Sequence, residues 1–334
     1  MKIPEIKLGD LAIKLAEVGA ALGLPNLDPT SGTIFLTSAD GAVGHRVASR
    51  LLNAGYPNLR IGVTDREKFE DFNKLGAELA DFDWMDETTY AKALVGVKSV
   101  FCATPNVRLW HAQFPLFLKA CDAAGVKHYV KVSFYNAREK NDVFSQVPSV
   151  RAHCLCDELL VSGQYFNTTY TILQATHFMS NPLIQQGYNL RANEAPATFY
   201  GASAGKGVNY VSPDDVAEVA VRVLLCPKDH KNQEYILTGP SAITDQQVAS
   251  LLSDHLKKPI MFEDQLLHTY EDGEKMGGDP KWMVDDLVAM EKVKATGVEE
   301  TLVSNDIEKI CGHPPDNFED YLQHTEFMTA AEVN

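Results

Sequence analysis

The residues with the clearest chemistry stand together in Thr37-Ser38-Ala39-Asp40-Gly41-Ala42-Val43-Gly44. Small residues at this spacing let a turn leave its backbone N–H groups uncovered. N–H groups that open a helix suit a pyrophosphate, because the helix dipole adds positive charge there. A dinucleotide fingerprint uses three glycines, for the tight turn, for close approach of the phosphates and for helix against strand. Here Ser38 holds the first place, and Gly41 and Gly44 hold the others. The donors are backbone groups, so Ser38 is compatible with phosphate, although its Cβ crowds the closest approach unless its hydroxyl itself bonds a phosphate. The next pair, Asp65-Arg66, begins 21 residues beyond Gly44. An acid there holds an adenine-ribose 2′-hydroxyl, and an arginine pairs with a 2′-phosphate. Asp65 can equally serve as a helix cap.

Those residues need strands to carry them. Thr33 to Thr37 reads as a strand, Val47, Leu51 and Leu52 carry a helix after the turn, and Leu59 to Thr64 is a second strand. A helix over 66–75, a strand over 77–83, a helix over 86–94 and a strand over 98–105 follow. Then come a helix over 109–124 stopped by Gly125 and a strand over 127–133. Strands alternating with helices imply a parallel sheet covered on both faces, with ligands at the carboxyl ends of its strands. The residues at those ends are Ser38, Asp65, Asp83, Thr104 and Ser133. Each could be a cap alone; with the glycine turn they outline a nucleotide-shaped edge.

A further helix over 150–162 and a strand over 169–173 lead to Gln174-Ala175-Thr176-His177-Phe178-Met179-Ser180-Asn181, where the alternation stops. Ser212-Pro213-Asp214-Asp215 opens a helix, and Thr244 with Gln247 forms a capping box for a helix over 245–257. Trp282, Met283, Leu287 and Met290 share a helix face in what reads as a small helical lobe. Residues 1–31 read as an amphipathic arm and linker, a docking element for a protein partner or a strap on its own domain.

The net charge of −15 over 334 residues argues against nucleic acid or an anionic membrane as partner. No apolar run reaches the roughly 18 residues of a membrane span. The six scattered cysteines read as reduced thiols, with no metal site expected. The expected compartment is the cytoplasm, with an organelle stroma or matrix left open.

These motifs resemble the NmrA-like family of atypical short-chain dehydrogenases/reductases from Thr33 to about Tyr321. The turn matches that family's Thr-Gly-Ala-Thr-Gly-x-x-Gly with two substitutions. Phe101-Cys102-Ala103-Thr104-Pro105, Thr171-Ile172-Leu173, Phe178-Met179-Ser180-Asn181, Val211 to Ala217 and Leu237-Thr238-Gly239-Pro240 resemble its later motifs. The resemblance implies a Rossmann-type doubly wound parallel sheet with a smaller, mainly helical C-terminal substrate lobe. The domains would be the arm at 1–31, an NAD(P)-binding domain at 32–177 and the lobe at 178–334, with some segments returning to the sheet. Cofactor contacts would fall to Thr37, Ser38, Asp40, Gly41, Ala42, Val43, Asp65, Arg66, Asp83, Thr104, Pro105 and Ser133. NADP(H) is preferred over NAD(H) because of Arg66 and nearby Lys68.

The activity so implied is hydride transfer to a small carbonyl, quinone or conjugated substrate. Two alternatives are an NAD(P)-sensing regulator without turnover and an inactive subunit of a larger assembly. Short-chain dehydrogenases use Tyr-x-x-x-Lys for the proton, and no tyrosine here has a lysine four residues on. Tyr135 and His153 are the candidate catalytic groups, the latter four residues before Asp157 on one helix face. His177 and Phe178 fall where the family's substrate-facing residues lie.

Overall fold

The computed structural model describes residues 16–24, 32–105, 107–139, 143–163, 168–185, 187, 190 and 197–325. Of the expected arm, 16–21 are helical and Val18 is buried. Residues 1–15 and 25–31 of that arm lie outside the described residues, and its docking role with them. Among the described residues no helix is long and apolar enough to cross a membrane. All six cysteines are free thiols.

The central sheet is parallel and has seven strands. They are β1 (Thr33–Leu36), β2 (Leu59–Val63), β3 (Glu78–Asp81), β4 (Val97–Cys102), β5 (His128–Phe134), β6 (Thr169–Ala175) and β10 (Gln233–Leu237). Their order is β3-β2-β1-β4-β5-β6-β10. β1 therefore lies between β2 and β4, and the direction in which strands are added reverses there. That reversal opens the crevice in which doubly wound sheets bind ligands. β4 and β5 are almost wholly buried, as strands covered on both faces must be.

Four long helices accompany these strands: α1 (Ala42–Asn53), α2 (Trp110–Ala124), α3 (Pro148–Val161) and α4 (Pro213–Leu225). α1 buries Val43, Gly44, Val47, Ala48, Leu51 and Leu52 on one stripe. α2 ends where Gly125 adopts φ 76°, the left-handed stop for which glycine is suited. The helices expected over 66–75 and 86–94 are shorter than their sequences suggest. Each is a 3-10 turn followed by a single helical turn, Glu67–Phe69 with Glu70–Lys74 and Glu87–Thr89 with Tyr90–Ala93. The Glu70–Lys74 turn buries nothing, so no packing extends it.

The chain divides into two compact units that interleave along the sequence. One comprises Met1–Ser133, Leu155–Leu173 and Ala217–Tyr235, and the other Phe134–Cys154, Gln174–Val216 and Ile236–Asn334. Ala217–Tyr235 groups with the first unit, and Phe134–Cys154 with the later residues. The second unit holds a three-stranded sheet ordered β11-β9-β7, of β7 (His177–Phe178), β9 (Gly207–Val211) and β11 (Ala242–Thr244). It also holds the parallel pair of β8 (Ala197–Gly201) and β12 (Ile260–Asp264). Its helices are α5 (Asp245–Leu256), α6 (Leu267–Gly277), α7 (Lys281–Lys294), α8 (Asp306–Cys311) and α9 (Phe318–His324). Phe199, Tyr210, Val248, Leu252, Phe318 and Tyr321 share one core there. The Thr244–Gln247 capping box forms as the sequence indicates. On α7 the buried seam differs from expectation. Val284 and Val288 are its core residues and Leu287 flanks them, because Ala202 and Tyr270 pack on that side.

Candidate cofactor site and the groups around it

In the first unit the carboxyl ends of β5, β4, β1, β2 and β3 stand side by side in that order. Along this edge lie Ser133, then Ala103 to Pro105, then Thr37 and Ser38, then Asp65 and Arg66, then Asp83. β1 and β4 are tied together just past their ends. The Thr37 and Ser38 hydroxyls both donate to the Ala103 carbonyl, at 3.0 and 2.8 Å, and Thr37 N–H donates to Phe101 O at 3.2 Å. Ser38 thus spends its hydroxyl on the neighbouring strand rather than holding it out for phosphate.

α1 begins at Gly41, which supplies no side-chain cap to the first turn. Among the described residues a Cβ at Gly41 would have only Ser38 O near it, at 3.7 Å, so they leave the space in front of the turn open. A Cβ at Gly44 would lie 1.8 Å from Ser38 O and 2.8 Å from its carbonyl carbon. Gly44 is therefore the glycine that lets α1 pack against the end of β1, and Gly41 the one that keeps the approach clear. An uncapped helix start, an open front and backbone donors fit a pyrophosphate. Asp40 is exposed, while Ala42 and Val43 form the first turn of α1.

At the end of β2, Asp65 Oδ1 accepts from Glu67 N–H at 3.0 Å, so it acts as a local cap. Arg66 donates from Nε and Nη2 to Asp81 Oδ1 at 2.8 and 2.7 Å, and from Nη1 to Leu79 O at 3.1 Å. Both side chains are half exposed, so this pair is weak and an incoming phosphate can compete for the guanidinium. Asp83 Oδ1 accepts from Met85 N–H at 2.8 Å. Thr104 and Pro105 follow β4 and are half-buried.

Ser133, at the end of β5, is joined to two groups that the sequence reading did not single out for it. Its hydroxyl donates to Asp157 Oδ2 at 2.5 Å, and Lys131 Nζ lies 2.8 Å from Asp157 Oδ1. Lys131 and Asp157 have no exposed surface. Burial pushes the Asp157 carboxyl above its ordinary range, and the Lys131 charge with the bonds from Lys131 and Ser133 opposes that push. The helical spacing from His153 does not set the direction of Asp157. Asp157 turns into the interior, and its partners are Lys131 and Ser133. The one available signal was a lysine inside the otherwise apolar Tyr129-Val130-Lys131-Val132 of β5.

The remaining expected groups belong to the second unit. Tyr135 follows β5, donates its N–H to Ala175 O at 2.9 Å and sets its ring edge-on to Phe144, 5.9 Å between centroids. His153 is half-buried on α3. His177 pairs with Tyr210 across β7 and β9, and Phe178 with Val211. His177 Nε2 lies 3.3 Å from Glu299 Oε2, with Phe134 and Tyr210 against its ring. Glu299 is buried and stands 122 residues away in the chain, so nothing in the local sequence announced it.

A family model described as NAD(P)H-binding matches residues 38–227. The chain belongs to this NAD(P)H-binding family. The matched span holds the Ser38–Gly44 turn and the carboxyl ends of β2, β3, β4 and β5, and the NmrA-like resemblance of the motifs accords with it. Among relatives, the chain is 27% identical over 292 residues to the NAD(P)H azoreductase of Xenophilus azovorans, covering 87% of this chain and 96% of that one. It is 28% identical over 296 residues to the (4-alkanoyl-5-oxo-2,5-dihydrofuran-3-yl)methyl phosphate reductase of Streptomyces griseus, covering 88% and 98%. Of solved structures, an NADPH-dependent quinone oxidoreductase from Escherichia coli in complex with NADPH superposes with a TM-score of 0.74. It is 24% identical, with 87% of this chain and 99% of that chain covered. The Citrobacter triphenylmethane reductase in complex with NADP(H) gives 0.71 at 22% identity, with 87% and 99% covered. At these identities the structures speak for the fold. The family is one of NAD(P)-binding oxidoreductases.

Proposed function

We propose that this chain is an NADPH-preferring reductase that delivers hydride to a small carbonyl, quinone or conjugated acceptor. The observation that carries the reading is the turn at the β1–β4 switch point, where Gly44 seats the helix and Gly41 leaves its N-terminus open. The bound dihydronicotinamide would supply the hydride. The chain's own residues bind and orient it: backbone groups of 41–44 receive the pyrophosphate, and Arg66 turns from Asp81 to a 2′-phosphate. The names of the two relatives above support the class of acceptor, since both are reductases. Tyr135 and His153 are the proposed proton sources, and His177 and Phe178 the proposed substrate-facing residues.

The test is a titration with NADPH and with NADH, read by nicotinamide fluorescence, in wild type and Arg66→Ala. NADPH affinity should fall about tenfold or more in the variant, as expected for a lost charge-assisted bond, while NADH affinity stays within about threefold. Failure of the wild type to bind either nucleotide at millimolar concentration would refute the reading. A second reading, a cofactor sensor without turnover, is favoured by the missing Tyr-x-x-x-Lys. Tight binding without oxidation of NADPH by any quinone or azo acceptor would select it.

A further inference from the structure

We propose that the buried Lys131–Asp157 pair fixes Ser133 as a hydrogen-bond acceptor for the nicotinamide carboxamide, and that Ser133 takes no part in proton delivery. This rests on the cofactor reading above and adds a role that the turn at β1 does not supply.

A serine hydroxyl has one proton to give and two lone pairs to offer. At Ser133 that proton is given to Asp157 Oδ2 at 2.5 Å. A hydroxyl bonded to an ionised carboxylate makes one of the stronger bonds available to a side chain. What remains at Ser133 is acceptor capacity only. Lys131 makes this arrangement durable. Its ammonium, 2.8 Å from Asp157 Oδ1, balances the carboxylate charge where neither group reaches solvent. Two charges removed from water are a poor means of stabilising a fold, because apolar residues of like size do as well or better. This pair is better explained by what it holds, one hydroxyl at a strand end.

The place of that strand end indicates the donor. The 2′-position of the adenosine is met at the end of β2, and the pyrophosphate at β1 and α1. β5 lies on the other side of β1, two strands away, which at the usual strand spacing is about 10 Å. A dinucleotide crossing the switch point reaches that far with its nicotinamide half. In the covalent order of that half the ribose comes next to the pyrophosphate, and the N–H donor at its far end is the carboxamide. An acceptor held rigidly at β5 matches it. A serine free to rotate would also donate, and would tolerate a carboxamide turned the other way.

The reduced 3-acetylpyridine analogue of NADPH replaces the carboxamide NH2 by a methyl group and keeps everything else, so the ratio of its dissociation constant to that of NADPH reads the contact. In wild type the ratio should be about ten, the value of one good bond. In Ser133→Ala it should fall to near one, with Ser133→Thr restoring most of it. In the double variant Lys131→Met/Asp157→Leu, which keeps the serine and removes what fixes it, the ratio should fall at least threefold. Ser133→Ala carries the test alone if the double variant does not fold. A wild-type ratio near one, or a ratio unchanged in Ser133→Ala, overturns the inference while leaving the cofactor reading intact. Loss of both nucleotides to equal degree in Ser133→Ala overturns it as well, by assigning the serine a structural role only. Absence of NADPH binding to the wild type refutes the cofactor reading and takes this inference with it.

Discussion

Replacing each fingerprint glycine by alanine should separate folding from cofactor binding. At Gly44 the new Cβ would fall 1.8 Å from Ser38 O, 2.8 Å from Ser38 C and 3.3 Å from Ala39 Cα, all of them backbone atoms. Real Cβ atoms keep at least 3.0 Å, so α1 and the end of β1 must separate by about 1.2 Å. Ordinary overpacking costs about 1–3 kcal/mol when side chains can yield. Here the atoms that must yield are held by the Thr37 and Ser38 bonds to Ala103, and α1 buries six residues on that side. The loss for Gly44→Ala should reach the top of that range, about 3 kcal/mol or more. Gly41 has φ −84° and ψ 160°, which alanine adopts freely, and among the described residues nothing closer than 3.7 Å to meet. Gly41→Ala should cost about 1 kcal/mol or less, the difference between glycine and alanine at an N-cap. Its methyl group nevertheless stands in the approach to the helix start, and NADPH affinity should fall about tenfold or more. Urea unfolding and fluorescence titration of both variants make the comparison. A Gly44→Ala protein as stable as wild type would refute the packing argument, and a Gly41→Ala protein with unchanged NADPH affinity would refute the cradle.

Other expectations follow from buried groups. Lys131→Met or Asp157→Leu alone should each cost about 3–5 kcal/mol in urea unfolding, since a charge is left unpaired in the interior, and the double variant should cost less than either. His128 lies between the Thr169 and Thr171 hydroxyls at 2.8 and 3.2 Å, and burial, with His230 adding to it, lowers its pKa to about 4. The unfolded value is about 6.5, so between these values the unfolded chain binds the extra proton. The contribution is therefore complete above about pH 6.5 and lost as pH falls toward 4, about 3 kcal/mol in all. Unfolding measured at pH 7 and 4.5 should show that slope in wild type and not in His128→Gln. Thr244→Ala should cost about 1 kcal/mol by removing the capping box of α5, again read by urea unfolding.

The parts of this molecule that were legible in the sequence are those governed by neighbours in the chain. The strand–turn–helix at Thr33 to Asn53, the Gly125 stop and the Thr244 box each depend on residues within one or two turns, and each forms where the spacing places it. Asp65 shows the limit of such reading. A carboxylate after β2 serves a cap and a ribose equally well in sequence, and in the structure its bond goes to Glu67 N–H. What escaped is long-range. Asp157 has the helical spacing to face His153, but the direction of its side chain is set by Lys131, 26 residues earlier on β5. Glu299 reaches His177 only because a later turn returns to β7. The buried face of α7 shifted for the same reason, since its partners Ala202 and Tyr270 come from other elements.

Ser38 shows what its place in the fingerprint entails once its hydroxyl is spent on Ala103. A glycine there would leave the loop many shapes, to be narrowed when a nucleotide arrives. With Thr37 and Ser38 both fastened to the adjoining strand, that narrowing is completed while the chain folds, and the entropy of ordering the loop is not charged against the complex. The loop is in this sense a mould already set. Changing Ser38 to glycine would restore the third fingerprint glycine and yet slow the capture of cofactor, because the fraction of molecules holding the receptive shape at any instant would shrink.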